Sequence, residues 1–301
     1  MLLPIAYDSC YALPLPEGHR FPMEKYDLLP TQLRLEGTAQ ADDFFQPQKA
    51  PIEVVQRVHH PTYVQKLLQL DLDRSEIRKI GFPLSKALVE REFIIAGGTI
   101  QGSKLALSTG IAMNIAGGTH HAYTDHGEAF CLLNDQAIAA QYLLDKGLAQ
   151  QILIIDLDVH QGNGTAAIFK ENAHVYTFSM HGAKNYPFKK EQSDLDLALE
   201  DGIPTAAYLT QLKATLPKLL ETVRPDFIFY LSGVDVLATD KLGRLALSLE
   251  GCVQRDAFVF ECCKKNKIAV QCSMGGGYSK DISIIVEAHA NTYRMAKEIF
   301  I

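Results

Sequence analysis

A short apolar segment at residues 152–155 constrains the fold of this chain more than any other stretch. Its isoleucine and leucine residues leave no polar face, which is typical of a strand buried on both sides in a parallel sheet. Asp156, Asp158 and His160 follow at alternate positions. If the chain stays extended, their side chains point the same way. They would then lie at the carboxyl end of the strand, where open parallel sheets bind ligands.

These three side chains predict a metal site. Two carboxylates and an imidazole at the end of a buried strand are unfavourable unless a cation or hydrogen bonds satisfy them. Asp158 and His160 combine oxygen and nitrogen donors in a way that suits zinc. The alternative is that the acids only cap a helix that follows Gly162 and Gly164. Because Asp158 and His160 are only two ligands, a third must come from elsewhere in the chain.

The second half of the chain alternates predicted strands with predicted helices. The predicted strands are 111–116, 152–157, 174–178, 227–231 and 268–272. This alternation predicts an α/β fold whose central, mainly parallel sheet is flanked by helices. The predicted helices before residue 111 are 26–35, 61–70 and 84–107, the last expected to bend or split at Gly97 and Gly98. With no repeat or clear linker, residues 1–301 are predicted to form a single domain.

Composition excludes several classes of protein. The 301 residues are 47% hydrophobic, which suffices for a core, and no apolar stretch approaches membrane-spanning length. The first residues lack the pattern of a signal peptide, and the six cysteines form no C-x-x-C pair. We therefore expect a cytoplasmic protein with reduced thiols, or a nuclear one in a eukaryote. The net charge of −6 without a basic run argues against direct nucleic-acid binding.

Polar groups or glycines follow every predicted strand of the second half. The segments after the other four strands are 117–121 (Gly-Gly-Thr-His-His), 179–181 (Ser-Met-His), 232–235 (Ser-Gly-Val-Asp) and 275–278 (Gly-Gly-Gly-Tyr). Because parallel strands end at one edge of a sheet, Asp235 is the natural third metal ligand. Three protein ligands leave a fourth position open for water, as in catalytic zinc sites.

His120, His121 and Tyr278 are the candidate catalytic groups beside that metal. An imidazole titrates near neutral pH and can act as a general acid or base. A phenol that follows three glycines can donate to a developing oxyanion. The alternatives are a pair of histidines facing core and solvent, and an ordinary core tyrosine. Together with the metal site, these groups predict metal-assisted hydrolysis of an amide.

Ordered motifs along nearly the whole chain resemble those of the histone deacetylase superfamily. The motifs are 19–23 (His-Arg-Phe-Pro-Met), 117–122 (Gly-Gly-Thr-His-His-Ala), 130–135 (Phe-Cys-Leu-Leu-Asn-Asp), 156–164 (Asp-Leu-Asp-Val-His-Gln-Gly-Asn-Gly), Ser179, Asp235 and 275–278 (Gly-Gly-Gly-Tyr). The form of the 156–164 motif and the short length are most similar to class IV-type deacetylases and their bacterial relatives.

The resemblance implies an arginase/deacetylase fold and a role for each matching residue. It implies one zinc ion on Asp158, His160 and Asp235, His121 as general base and then general acid, His120 as an electrostatic partner oriented by Asp156, and Tyr278 as the oxyanion donor. It also implies tunnel walls at Phe130, Tyr186 and Gly276, Arg20 near an interior exit channel, and a structural potassium ion on Asp156, Asp158, His160, Ser179 and Met180. For the tunnel aromatics the alternative is core packing, and for Arg20 it is a surface salt bridge.

Two positions depart from the family pattern. Asn163 stands where many members orient the second histidine with an aspartate. An amide cannot offset an imidazolium charge, so His121 is expected to be less basic here. Ala129 replaces a glycine before Phe130 and is expected to alter the tunnel mouth.

The predicted function is that of a zinc-dependent amidohydrolase that removes an acetyl or longer acyl group from N-acyl-lysine in a peptide or protein. The alternatives are an acetylpolyamine deacetylase, which would act on a small acylated amine, and a non-catalytic zinc-holding protein that binds acyl-lysine. A ureohydrolase, which holds two manganese ions, would need a second carboxylate two residues after Asp235. That position is Leu237.

Overall fold

Eight strands form one sheet in the part of the chain that this computed structural model describes, residues 2–301. The strands are β1 (Ile5–Ala6), β2 (Phe44–Phe45), β3 (Ile111–Asn114), β4 (Ile152–Asp156), β5 (Val175–Gly182), β6 (Leu195–Leu199), β7 (Phe227–Gly233) and β8 (Ala269–Gly275). Their order is β2-β1-β3-β8-β7-β4-β5-β6, and every neighbouring pair is parallel. The predicted α/β class with its central parallel sheet is confirmed.

Helices flank this sheet. They are α1 (Lys25–Leu35), α2 (Ile52–Val55), α3 (Pro61–Gln69), α4 (Arg74–Ile80), α5 (Lys86–Thr109), α6 (Asp135–Asp145), α7 (Asn163–Phe169), α8 (Thr205–Val223), α9 (Leu249–Asn266) and α10 (Ile282–Phe300). One group contains α5 and α6, and another contains α9 with α8 and α10, while α1 packs on α10. None of the helices in residues 2–301 is long and apolar enough to cross a membrane.

The expected bend or split in α5 does not occur, and the helix runs without a break. Its two glycines serve close packing instead. A Cβ atom at Gly97 would collide with the carbonyl oxygen of Gln48, and one at Gly98 would lie 2.8 Å from the Tyr11 hydroxyl. Both sites therefore need a residue without a side chain.

Three elements, α4, β2 and β6, lie in stretches where no helix or strand was predicted. Helix α4 begins with a capping box between Asp73 and Glu76 and ends at Gly81 in a left-handed conformation. Strand β2 lies between α1 and α2, and β6 lies between β5 and α8. Both strands are at the edges of the sheet and mostly half-buried, so they lack a clear apolar run.

The centre of the sheet places the polar strand ends together. Strands β4, β7 and β8 are neighbours, and nearly all of their residues are buried. Their register aligns Asp156 with Leu231, and Gly233 with Gly275. The segments that follow these strands therefore emerge side by side at one edge.

We expect His59 to couple the stability of the fold to pH. Its ring is fully buried; Nδ1 lies 2.9 Å from the Tyr123 carbonyl oxygen, and Nε2 accepts from the Asn134 N–H at 2.9 Å. Burial lowers the pKa of His59 to about 4, so the unfolded chain binds a proton that the native ring does not bind between that value and the ordinary one. Stability is thus lost as the pH falls through this range.

The test is the free energy of unfolding of the wild type and of His59→Gln as a function of pH. The wild type should lose about 2 kcal/mol more than the variant between about pH 7 and about pH 5. His174→Gln, which alters an exposed imidazole, is the control and should retain the wild-type dependence. An equal loss in wild type and His59→Gln would contradict the assignment.

Candidate active site

Asp158, His160 and Asp235 form a buried cluster at the carboxyl edge of the sheet. One donor atom from each lies within 4.8 Å of the others. His160 Nδ1 is 3.0 Å from Asp158 Oδ1 and 3.1 Å from Asp235 Oδ2. The exposed fractions of the three residues are 2%, 9% and 0%. The structure thus brings together the three residues predicted as metal ligands.

Loop hydrogen bonds, rather than an extended strand, produce this convergence. Strand β4 ends at Asp156, whose Oδ1 accepts from the Asp158 N–H at 3.1 Å. Asp158 Oδ1 then accepts from the His160 N–H at 2.9 Å, and Asp235 Oδ1 accepts from the Val159 N–H at 3.0 Å. The expectation of side chains alternating along an extended chain is therefore wrong beyond Asp156.

The electrostatics of this cluster favour a cation. Burial opposes a charge on His160, but hydrogen bonds and charges from Asp158 and Asp235 raise its pKa to about 10. Burial and the charge of Asp158 raise the pKa of Asp235 to about 7. The two carboxylates thus require positive charge between them. A divalent cation that accepts oxygen and nitrogen donors fits this set.

His120 and His121 lie next to the cluster and have opposite electrostatic environments. Their ring centroids are 4.1 Å apart. Burial opposes protonation of His120, yet Asp156, whose Oδ2 is 2.6 Å from His120 Nδ1, raises the pKa of that ring. Burial and the neighbouring rings of His120 and His160 hold the pKa of His121 well below its ordinary value. The hydrogen bond to Asn163 acts in the opposite direction and raises this pKa, but burial outweighs it.

A carboxylate that sequence reasoning missed fixes the orientation of that amide. Asn163 Nδ2 donates to Glu128 Oε1 at 2.6 Å and to the Tyr123 hydroxyl at 3.0 Å. The Asn163 carbonyl oxygen therefore faces His121 Nδ1, 2.6 Å away. Nδ1 must carry the proton, which leaves Nε2 free to accept one. The signal in the sequence was the presence of Glu128 in the loop between His121 and Phe130.

The glycine run before Tyr278 allows the backbone to pass against the cluster. Gly276 and Gly277 have φ of 56° and 88°, and a Cβ atom at Gly276 would collide with the Asp235 carboxylate. Burial and the charges of Asp235 and Asp158 raise the pKa of Tyr278 well above its ordinary value. Its hydroxyl thus stays protonated and can donate.

Two connected cavities lead from the surface to the cluster. The outer one has a volume of about 370 Å³ and the inner one about 40 Å³. Phe130 and Tyr278 line both cavities, Gly276 lines the inner one, and Tyr186 lines the outer one. The Tyr186 ring meets His121 edge-on at 5.1 Å. A narrow passage of this kind admits an unbranched chain.

The structure corrects the position predicted for Arg20. Its side chain is exposed, with Cζ 4.9 Å above the Phe130 ring, and it lines the outer cavity rather than an interior channel. The inner cavity is lined instead by Lys25 and Arg91, and Lys25, which is 2% exposed, donates to the Gly276 carbonyl. Burial lowers the pKa of Lys25 to about 8. Arg20 and Lys25 lie close together in the chain, and the sequence alone does not show which of them is buried.

Of the residues predicted to bind potassium, Asp158 and His160 belong to the cluster itself, and the others lie on strands β4 and β5. Asp156 on β4 is in register with Ser179 on β5, and Met180 follows. All of them are buried, and Ser179 Oγ is 2.9 Å from His181 Nδ1. Potassium binding stays a prediction.

A buried ion pair on α9, which was also not predicted from the sequence, stabilises the two loops that carry the cluster. Arg255 Nη1 donates to the carbonyl oxygens of Gly233, at 2.6 Å, and Leu157, at 3.3 Å. Its Nε donates to Asp256 Oδ1 at 2.8 Å, and Tyr230 Oη donates to the same carboxylate oxygen at 2.5 Å. Arg255 thus ties the segment before Asp158 to the segment before Asp235.

Comparison with known proteins gives consistent matches. A family model described as the histone deacetylase domain matches residues 19–293. An uncharacterised protein of Picosynechococcus sp. is 44% identical over 300 residues, covering 100% of both chains. Histone deacetylase 2 of Arabidopsis thaliana is 32% identical over 193 residues, which are 63% of this chain and 50% of that protein. A crystal structure of a histone deacetylase homologue complexed with SAHA has a TM-score of 0.86 at 21% identity, covering 99% of this chain and 84% of the other.

We expect Arg255→Met to destabilise the fold by about 3–5 kcal/mol, because it leaves Asp256 as an unpaired buried charge. The double variant Arg255→Met/Asp256→Asn should recover part of this loss. Denaturant unfolding at neutral pH measures both. Arg57→Met, which removes an exposed ion pair with Asp145, is the control and should change stability little. If Arg255→Met changed the free energy of unfolding as little as Arg57→Met does, the stabilising role of Arg255 would be rejected.

Proposed function

The chain belongs to the histone deacetylase family, and from this premise we propose that it is a zinc-dependent amidohydrolase that removes an acyl group from N-acyl-lysine. The observation that carries the proposal is the buried cluster of Asp158, His160 and Asp235 at the end of a narrow passage. Two histidines and a tyrosine border the same passage, as hydrolysis of an amide requires.

The proposed zinc ligands are Asp158, His160 and Asp235. Their two oxygens and one nitrogen, their burial and their need for positive charge support a single zinc ion. Zinc bound there would supply Lewis-acid activation of water and of the amide carbonyl. A structural potassium ion on the strand ends, near Asp156 and Ser179, is part of the same proposal.

Substrate positioning falls to the aromatic residues of the passage. The methylene groups of the acylated lysine would run between Phe130 and Tyr186. The ring centroid of Phe21 is 5.1 Å from that of Phe130 and 5.0 Å from that of Phe82. Phe21 and Phe82 both line the inner cavity and would exclude water from it. The protonated Tyr278 hydroxyl would donate to the carbonyl oxygen as negative charge develops on it.

Proton transfer falls to His121. Its Nε2 would accept a proton from water as the water oxygen bonds to the carbonyl carbon. The same nitrogen would then give that proton to the leaving amine as the C–N bond breaks, which yields a carboxylic acid and a free amine. Asn163 would hold the ring, with the charge of Glu128 beyond it, while Asp156 favours a positive charge on His120.

The ureohydrolase alternative finds no support in the cluster. Leu237, at the position that would carry the additional carboxylate, is apolar and only 3% exposed. Within residues 2–301, the metal-binding group contains three residues rather than the larger set that two ions need.

Tyr278→Phe should lower kcat by about 10²–10³-fold, because it removes one donor to the oxyanion. The measurement is the steady-state rate on an acetyl-lysine peptide, together with the zinc content. The variant should keep one zinc ion per chain and the wild-type fold. The control is Tyr176→Phe, which alters a partly exposed phenol far from the passage. Wild-type kcat in Tyr278→Phe would refute the oxyanion role.

Removal of the metal should abolish the activity, and one equivalent of zinc should restore it. Asp235→Asn should weaken zinc binding because the site loses a charged ligand, and the zinc content after dialysis measures this effect. Activity that survives complete chelation would exclude the proposed function. Two manganese ions per chain would favour the ureohydrolase alternative.

A further inference from the structure

The outer cavity has a charge opposite to that of the whole protein. Four cationic residues, Arg20, Lys79, Lys184 and Arg244, are among those that line it. Within residues 2–301, none of its lining residues carries a carboxylate. The chain as a whole has a formal net charge of −6. These four residues, here called the rim, therefore concentrate positive charge at the entrance to the passage.

Only part of this charge is neutralised by the protein itself. Asp201 Oδ2 lies 3.2 Å from Arg244 Nη1 and 3.8 Å from Lys184 Nζ, so a single carboxylate faces two cations. In the described part of the chain, Arg20 and Lys79 have no ion-pair partner within 4.0 Å. These two exposed cations of the rim thus make no direct ion pair within the described part of the protein.

The guanidinium group of Arg20 and the backbone of Lys79 both contact the wall of the passage. The Arg20 guanidinium lies over the Phe130 ring. The Lys79 carbonyl accepts from the Ala129 N–H at 2.9 Å, which joins its backbone to the loop that carries Phe130. A ligand in the passage would place the groups that flank its acylated amine beside both cations.

The outer cavity also has an apolar contact surface. Phe188, 89% exposed, has its ring centroid 6.4 Å from that of Tyr186 and lines the same cavity. An exposed aromatic residue beside cations suits a peptide better than a small inorganic anion.

We propose that the outer cavity selects acylated amines carried on acidic peptides. The inference rests on the proposed function and specifies its substrate class. Carboxylates on either side of the acyl-lysine would pair with Arg20 and Lys79, and an acetylpolyamine would bring its free ammonium groups against four cations. Such recognition acts on kcat/KM and weakens as salt screens the charges.

The experiment uses three acetyl-lysine peptides that differ only at the flanking positions, which are Asp, Asn or Lys. The zinc-loaded full-length chain should show kcat/KM in the order Asp, Asn, Lys, with about tenfold between successive peptides at low ionic strength. The three values should converge at high ionic strength. An acetylpolyamine should be a poorer substrate than the Asn peptide.

A second experiment reverses one charge of the rim and compares this variant with a charge reversal elsewhere on the surface. Lys79→Glu should lower kcat/KM for the Asp peptide by about tenfold and change the Asn peptide by less than about twofold. Lys218→Glu makes the same change in net charge on an exposed part of α8, and it should leave the preference intact.

The remaining outcomes separate this inference from the proposed function. Equal kcat/KM for the three peptides, or preference for the acetylpolyamine, would overturn the inference while leaving a working deacylase. Stronger inhibition by a single-stranded oligonucleotide than by the non-acetylated Asp peptide would assign the rim to phosphate and also overturn it. Inertness toward every acylated amine would instead reject the proposed function itself.

Discussion

The carboxylates of Asp158 and Asp235 approach the same imidazole nitrogen in a place that solvent hardly reaches. This arrangement is unfavourable unless positive charge lies between the acids, and much of the surrounding structure holds it in place. Adjacent strands β4 and β7 deliver the two acids, and Arg255 bonds to a carbonyl near each. The glycine at 276 lets the opposite loop close over Asp235 without a steric clash.

The two histidines beside this cluster show how one substitution is accommodated by its neighbours. His120 has a carboxylate partner, whereas His121 has the amide of Asn163. The negative charge near His121 is supplied from farther away, since Glu128 bonds to the other end of that amide. The ring is still held in one tautomer, but it is less basic than a ring that contacts a carboxylate directly.

Most of the fold and the central residues of the site could be predicted from the sequence. The strands β4 and β7 contain unbroken apolar runs at 152–155 and 227–231, and the polar residues after these runs meet because parallel strands end together. Residues whose importance arises from distant contacts were missed. Glu128 and Arg255 look like ordinary charged residues until tertiary structure places them against Asn163 and Gly233. The resemblance placed Arg20 near an interior channel, and only the folded chain shows that Lys25, rather than Arg20, turns inward.

The taper of the passage, from about 370 Å³ outside to about 40 Å³ inside, divides substrate choice between two places. The wide vestibule meets whatever surrounds the modified side chain, while the constriction meets the girth of that chain and its acyl group. Since residues such as Lys79 line only the vestibule and Phe21 lines only the constriction, sequence context and acyl size become separable traits. A protein engineer could retune either one while leaving the other untouched.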